Sequence, residues 1–477
     1  MERAPLIAVV GSGFCGTTLA IHLLRDAGLA PARVVLIERP GHGVGGVAYD
    51  VASDEFLLNV PAHRMSAFED APTDFLDFVR GRVPDAGRAH YARRREYGEY
   101  LAARLDAAAR AALAGEHGGV RLEPVAGTVR DLARDPLGRL RLVVDTELTA
   151  LELLPDAVLL ATGNAASAPP RWVEPWMVTE RRYADAWAPG SLSCDEGTRT
   201  VVLVGTGLTM VDAVVELRAR GYRDRIVAVS RHGLLPRVDD GPPPAPVDAD
   251  LPPLVADAPP SVSARALLRA LRTHADVVAA DGRDWRSLIA AVRPHVPALW
   301  GALDARERRR WQRHARTYWE IHRHRMPAAL AQRIGAEIRS GGLELLAGRI
   351  HGARRADDGA IELEFRARGA GESRTLCADR LVNCTGAAAG APLPPPWPAL
   401  VERGAACRDP LGLGVLTDES GRLLDRDGRA QADLWYAGPM WRAQQWEMTA
   451  VPELRRRLPA VAASIAALVG ARRAGPT

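Results

Sequence analysis

Two glycine-rich hexapeptides carry the residue types and spacing that could do chemistry: Gly11-Ser12-Gly13-Phe14-Cys15-Gly16 and Gly205-Thr206-Gly207-Leu208-Thr209-Met210. Each follows a short apolar run, Leu6–Val10 or Val201–Val204, and each opens a stretch with helical patterning. In that setting a glycine turn lets backbone N–H groups approach a pyrophosphate at a helix N-terminus. Two such turns imply two dinucleotides, most simply a flavin and a nicotinamide, and therefore electron transfer. Glu38 ends the strand after the first turn, at the spacing of roughly 20 residues where a carboxylate accepts hydrogen bonds from a ribose. The corresponding strand of the second unit ends in Ser230-Arg231-His232. An arginine there pairs with a ribose 2′-phosphate, which an acid would repel. The expectation is FAD at the first turn and NADPH, rather than NADH, at the second. Met210 replaces the third glycine, so helix and strand are held further apart there.

Around these turns the apolar periodicity predicts two strand–helix–strand units. The first is Leu6–Val10, a helix from about Phe14 to Ala27 stopped by Gly28, and Val34–Glu38. The second is Val201–Val204, a helix to about Arg220, and Ile226–Ser230. Residues 74–82 and 97–114 read as helices, and 120–129 with 140–144 as strands of a meander. Two apolar strands, at 156–160 and 379–383, run into the small-residue turns Thr162-Gly163 and Thr385-Gly386, which allow a backbone to pass close to a dinucleotide. The glycines Gly41, Gly43, Gly45 and Gly46 mark either a close backbone approach or a flexible turn. Asn59 follows on an extended segment. Residues 241–260 are proline-rich and read as a linker or loop.

Helices are expected at 264–274, 285–293 and, as one long element, 303–325. In that last helix Trp311, Tyr318 and Trp319 would enter the core. His322 and Arg325 have two readings: solvated residues of an amphipathic helix, or ligands of an anionic substrate. Near the C-terminus, Gly438 precedes Pro439, and Thr449 stands before Pro452 where a helix could begin. Such an N-terminus could stabilise negative charge on a reduced flavin. The final helix is expected over about 460–472.

Bulk properties narrow the classes. With 477 residues the chain is long enough for two or three domains. Its net charge of +4 is too small to argue for nucleic acid. All 62 basic residues are arginine, which rules out a lysine Schiff base, a phosphate-loop lysine and a lysine general base. Cys15, Cys194, Cys377, Cys384 and Cys407 include no C-x-x-C pair, so neither a local redox dithiol nor zinc spacing is present. His314 and His322 have no acid completing a metal set. The first strand begins so early that no signal peptide is expected, and no long apolar run suggests a membrane span. A cytoplasmic protein is expected.

With these residues in view, the chain resembles the bacterial FAD–NAD(P)-binding protein family, a group similar to the N-hydroxylating flavin monooxygenases that act on lysine or ornithine. The resemblance spans nearly the whole chain. It rests on the first glycine turn, Gly46-Val-Ala-Tyr49, Leu58-Asn-Val-Pro61, Met65-Ser-Ala-Phe68, Tyr318-Trp319 with His322-Arg-His-Arg325, and Trp446-Glu447 with Ala450-Val-Pro-Glu453. It implies an α/β fold of two Rossmann-like dinucleotide-binding domains with a helical insertion. The FAD domain would comprise residues 1–165 and 331–477. The NADPH domain would be inserted at 166–330, with the helices at about 260–330, and the Thr385-Gly386 turn would return to the FAD domain. In many flavoproteins of this architecture an aspartate follows the glycine corresponding to Gly438, so Pro439 implies a different flavin contact.

The activity this implies is an NADPH-dependent flavin monooxygenase, passing one atom of molecular oxygen to a nucleophilic atom of a small molecule, such as an amine. Open beside it are a flavin oxidase or reductase, a ring hydroxylase, and a flavin- or nucleotide-binding protein without turnover. The cofactor carries the chemistry, so no catalytic residue stands out.

Overall fold

The computed structural model describes residues 3–29, 31–116, 119–164, 167–240 and 262–474. The proline-rich stretch at 241–260 lies outside them.

Two sheets share one plan. In the first, strands run in the order Arg422–Leu424, Ala430–Tyr436, Ala157–Leu160, Leu6–Val10, Arg33–Glu38, Arg121–Ala126. All neighbours are parallel except the outermost pair at Arg422–Leu424. In the second the order is Arg374–Ala378, Ile361–Ala367, Leu343–Arg355, Arg225–Ser230, Thr200–Val204, Arg380–Asn383, Tyr183–Asp185. Here the first three strands pair antiparallel and the remaining pairings are parallel. In both sheets the strand before the glycine turn lies between the strand after its helix and the strand ending in Thr-Gly.

Parallel strands covered on both faces read as continuous apolar runs, and every residue of Leu6–Val10 is buried. Helix Phe14–Leu24 packs on that sheet beside Arg94–Leu113 and Val451–Ala474. The second sheet carries helices Leu208–Ala219 and Ala328–Arg339.

The helices Ala264–Ala280, Trp285–Val292, Val296–Ala302, Ala305–His314 and Arg316–Arg323 form a separate apolar core that also takes in Leu413, Ala443 and Trp446. The insertion therefore docks on the C-terminal third of the chain. Trp300 Nε1 donates to the Ala443 carbonyl at 2.9 Å, and the Trp300 and Trp446 rings lie 4.7 Å apart. Ser263, Asp284 and Asp304 cap three of these helices, each side chain accepting a backbone N–H of the first turn.

Several expectations are corrected. Strand Arg380–Asn383 joins the second sheet, so that sheet, with strands from 343 to 383, extends past the boundary expected at 331, and Thr385-Gly386 does not return to the first domain. The single strand expected at 120–129 is two. Arg121–Ala126 edges the first sheet, and Thr128–Arg134 begins a separate three-stranded meander. Gly127 divides them where a side chain would press on Val144 and Asp145. The helix expected at 303–325 breaks at Ala315, whose backbone departs to φ −110°. A straight helix would carry Trp311 and Trp319 about 12 Å apart along its axis; the break brings their rings to 6.3 Å. Tyr318 stays exposed rather than entering the core. The last helix begins at Val451, well before 460. Among the described residues no helix is long and apolar enough to cross a membrane.

The close approach at the second turn is testable. Gly205 has φ +115°, and a Cβ there would lie 2.8 Å from the Cys384 carbonyl oxygen. Gly205→Ala should lose about 1–3 kcal/mol in urea unfolding. Gly207→Ala, whose Cβ would meet nothing within 4 Å, should unfold like the parent.

Candidate cofactor and substrate site

The first turn is built backbone on backbone. The Gly11 N–H donates to the Ile37 carbonyl at 2.7 Å, and its φ is +102°. A Cβ on Gly11 would come within 2.5 Å of the Ala161 carbonyl oxygen, and one on Gly16 would overlap the Gly11 carbonyl. Gly13 caps helix Phe14–Leu24 with no side-chain acceptor, and the first helical bond runs from the Thr17 N–H to the Gly13 carbonyl. The amides of Phe14, Cys15 and Gly16 are thus the free donors of a helix N-terminus, the chemistry a pyrophosphate fits.

Glu38 reaches this turn. Its Oε2 accepts the Ser12 N–H at 2.6 Å and lies 3.0 Å from the Ser12 hydroxyl. The glycine run at 41–46 closes over the same place. The Gly45 N–H donates to the Ser12 carbonyl at 2.8 Å, and a Cβ on Gly46 would lie 3.1 Å from the Gly13 Cα. Burial pushes the Cys15 thiol up to about 12, which makes it a packing residue. Asn59 is half-buried on a segment held by the Leu58 N–H to the Ala92 carbonyl at 2.9 Å.

Thr162, Gly163 and Gly438 converge at the C-terminal ends of neighbouring strands in this sheet, where open α/β sheets bind ligands. Thr162 Oγ1 accepts from Trp397 Nε1 at 2.9 Å. The Tyr436 hydroxyl donates to the Gly163 carbonyl at 3.4 Å and accepts the Met440 N–H at 2.8 Å. A Cβ on Gly438 would lie 2.5 Å from that hydroxyl oxygen. Thr449 lies in the turn before helix Val451–Ala474, its N–H 2.7 Å from the Glu447 carbonyl.

The second turn repeats the first with one exchange. The Gly205 N–H donates to the Val229 carbonyl at 2.8 Å, and helix Leu208–Ala219 starts at Gly207 without a side-chain cap. Thr206 takes the part of Ser12: its hydroxyl lies 2.9 Å from Ser230 Oγ and donates to the Leu234 carbonyl at 2.6 Å. Ser230 thus occupies the position of Glu38, with a neutral hydroxyl where the first turn has a carboxylate. Met210 is fully buried in the second core. Thr385 is oriented by Asn383 Oδ1, which accepts its N–H at 3.1 Å and its hydroxyl at 2.7 Å.

Arg231 has no ion pair among the described residues. Burial lowers its pKa, and so do Arg349 and Arg316, while Glu320 opposes. His232 is lowered by burial and by Arg368, Arg231 and Arg349. Its Nδ1 is buried with no hydrogen-bond partner among the described residues. Sequence reasoning missed Arg349 because it comes from strand Leu343–Arg355, which is far along the chain but pairs directly with Arg225–Ser230.

His322 and Arg325 already have partners. His322 Nδ1 lies 2.7 Å from the Tyr318 carbonyl and its ring meets Trp285 edge-on at 5.0 Å. Arg325 pairs with Asp239 at 3.2 Å and lies over the Trp285 ring. The intervening Arg323 belongs to a buried ion cluster. It pairs with Glu447 at 2.7 Å and with Glu453 at 3.2 Å, and Arg293 also pairs with Glu453. Glu447, 3% exposed, accepts from Trp319 Nε1 at 2.6 Å. Arg64 approaches the same charges, and its guanidinium makes no ion pair or hydrogen bond among the described residues. Burial lowers its pKa first, then Arg323, against Glu453. The segments at 64–68, 318–325 and 446–453 therefore meet here, and Arg64 is more available to an anion than Arg325.

Residues 8–165 match the model of the family described as FAD-NAD(P)-binding. No curated protein matches the sequence. Among solved structures, the chain is similar to the FAD-bound cadaverine monooxygenase of desferrioxamine biosynthesis from Erwinia amylovora. The TM-score is 0.65 at 12% identity, with 97% of this chain and 95% of that one covered. The Kutzneria sp. 744 ornithine N-hydroxylase, solved with reduced FAD, NADP+ and L-ornithine, gives a TM-score of 0.63 at 16% identity, with 99% and 100% covered. The L-lysine 6-monooxygenase of Pseudomonas syringae gives the same TM-score of 0.63 at 16% identity, with 99% and 100% covered. At these identities the likeness shows the fold: α/β, with two parallel Rossmann-like sheets and a helical segment.

The ion cluster generates a prediction. Burial opposes ionisation of Glu447, but Arg323, His324 and the Trp319 indole outweigh it, so its carboxyl is held below the ordinary range. A depressed carboxyl stabilises the fold above its unfolded pKa and loses that contribution as pH falls through the folded value. Glu447→Gln should cost about 2–4 kcal/mol at pH 7 by leaving Arg323 only Glu453, which it shares with Arg293. Its stability should also fall less steeply than the parent's below about pH 4, as read by chemical unfolding across pH.

Proposed function

We propose, on the match of residues 8–165 to the family described as FAD-NAD(P)-binding, that the chain is an NADPH-dependent flavin monooxygenase acting on a nucleophilic atom, such as an amine, of a small molecule. The observation that carries this reading is the same turn built twice with opposite charge. Glu38 closes the first turn; Ser230 closes the second, with Arg231 next to it in sequence.

The amides at the start of helix Phe14–Leu24 hold the FAD pyrophosphate, and Glu38 accepts its ribose hydroxyls. Thr162, Gly163 and Gly438, at the strand ends, would hold the rest of the FAD. The amides at the start of helix Leu208–Ala219 would hold the NADPH pyrophosphate, and Arg231 with Arg349 would hold the 2′-phosphate. When bound, the two cofactors supply electrons and oxygen activation. The ion cluster of Arg323, Glu447 and Glu453 fixes the helical insertion against the first domain. Arg64 offers a positive charge to an anionic substrate group.

The activities of the similar solved structures, on cadaverine, ornithine and lysine, support an amine as the oxygen acceptor. The missing C-x-x-C motif disfavours a dithiol reductase. Burial raises the thiols of Cys15 and Cys384, which also argues against thiolate chemistry at either turn.

The test is direct. Purified protein should bind FAD, lose its flavin colour on anaerobic addition of NADPH, and regain it with oxygen. In the presence of the right amine, product should form with little hydrogen peroxide. Failure to take up FAD overturns the whole reading, and peroxide as the only product across an amine panel overturns the monooxygenase part.

Arg231→Ala should raise the KM for NADPH about 10- to 100-fold, the loss of one charge-assisted contact, and leave that for NADH nearly unchanged. Equal effects on both would remove Arg231 from the 2′-phosphate.

A further inference from the structure

The two sheets are joined by more than the chain that connects them. Helix Leu208–Ala219, which starts at the second glycine turn, carries Asp212 one turn further on. Asp212 is 6% exposed, and its Oδ2 accepts from the Arg94 guanidinium at 2.7 Å. Arg94 is the first residue of helix Arg94–Leu113, which packs beside helix Phe14–Leu24 of the first turn. One turn on, a Cβ at Gly98 would lie 2.5 Å from the Tyr49 carbonyl oxygen, so the same helix presses on Gly46–Tyr49, which follows the glycine run at 41–46. A buried ion pair therefore ties the helix of the second turn to the packing around the first.

The pair is held from several sides. Arg94 Nε donates to the Leu57 carbonyl at 3.3 Å, and the guanidinium lies 5.2 Å from the centre of the Trp187 ring. Phe56 meets Trp187 edge-on at 5.9 Å and is buried in the core of the second sheet, with Val51 and Leu57 packed against that core. The Ser53 hydroxyl donates to Glu216, one turn beyond Asp212, and Arg333 pairs with Glu55 at 2.6 Å. Residues 51–57 thus fit into the second domain as a plug. Burial pushes the Asp212 carboxyl up to about 6 against the pull of Arg94, so the pair is ionised at neutral pH.

Apolar packing is non-directional and tolerates small slips of a plug. A buried ion pair does not, because separating it leaves uncompensated charge out of water. Hydride transfer needs such precision, since the reacting atoms must come within about 3–3.5 Å.

We propose that Arg94 and Asp212 are positioning residues for hydride transfer, holding the second turn in register with the first so that the nicotinamide meets the flavin without rotation of either domain. In that step a hydride, two electrons with one proton, leaves NADPH, which becomes NADP+, and FAD is reduced by two electrons. The proposal rests on the reading of the two turns as FAD and NADPH sites, and not on what later accepts oxygen.

The test compares the FAD-loaded parent with Asp212→Asn, Arg94→Met and the double variant Arg94→Met/Asp212→Leu. With oxygen excluded, flavin reduction at saturating NADPH should slow about 10- to 100-fold in both single variants. The NADPH concentration giving half the maximal rate, and reduction by dithionite, should stay as in the parent. Before any NADPH is added, hydrogen exchange should show lost protection across residues 51–57 in the single variants and none in strand Leu6–Val10. The double variant exchanges the ion pair for apolar groups. It should recover unfolding stability toward the parent but not the reduction rate, which separates positioning from a purely structural role. Asp212→Asn is nearly isosteric and carries the test if Arg94→Met does not fold. Parent-like reduction of Asp212→Asn by NADPH, equal slowing with dithionite, or recovery of rate together with stability in the double variant overturns the positioning role and leaves the cofactor reading intact. A parent whose bound flavin is not reduced by NADPH overturns the cofactor reading and the role of the pair together.

Discussion

The fold depends on two places where backbone must touch backbone. At each, the glycine that ends a central strand lies against a carbonyl of the neighbouring strand's end, Gly11 against Ala161 and Gly205 against Cys384. Only a residue without Cβ fits, and only one tolerant of positive φ can turn there. That contact lets the chain leave the sheet directly into a helix, so that unsatisfied helical amides lie at the sheet's C-terminal edge. Sheet order, helix placement and anion-binding capacity are thus consequences of one steric constraint used twice. What differs between the copies is the side chain that ties the turn to the next strand. A carboxylate does so in one and a hydroxyl followed by a guanidinium in the other, and the difference in charge separates two otherwise equivalent cradles.

A second layer of organisation is ionic. Three sequence-distant segments meet around Arg323, Glu447 and Glu453, all largely withdrawn from water. Burying a charge pair contributes little net stability compared with an apolar replacement, but it penalises every arrangement that separates the partners. The cluster therefore acts mainly on specificity, by defining where the helical insertion must dock. The apolar contact of Trp300 with Trp446 supplies the attraction, and the ions supply the register.

Both strand–helix–strand units were readable from the sequence because their signals are local: an apolar run, a glycine turn, helical periodicity and a strand end with defined chemistry. The roles of Ser12 and Thr206 in holding their turns were not, although both residues lay inside the motifs. Arg349 and Arg64 were illegible for a different reason. Each reaches its neighbours through strand pairing or domain packing across a long sequence separation, and an arginine-rich chain gives no reason to single out one guanidinium. The same limit explains the misplacement of Thr385-Gly386. A Thr-Gly turn after an apolar strand looks alike in either sheet, and only hydrogen bonding to Thr200–Val204 shows which one it joins. The break at Ala315 had no glycine or proline to announce it; it follows from the need to bury Trp311 and Trp319 in one small core.

One modest feature has mechanical weight. The chain enters the helical insertion through Val238–Asp239 and leaves it through Met326–Pro327, and these two short strands lie side by side in parallel. A single connecting strand swivels freely about its backbone dihedrals, whereas two strands joined by hydrogen bonds resist torsion and yield chiefly by bending. Arg325 and Asp239 stiffen the same place with an ion pair. The insertion is thus mounted on the second sheet by a strap rather than a string, and any relative movement of the two is steered toward a flap-like swing.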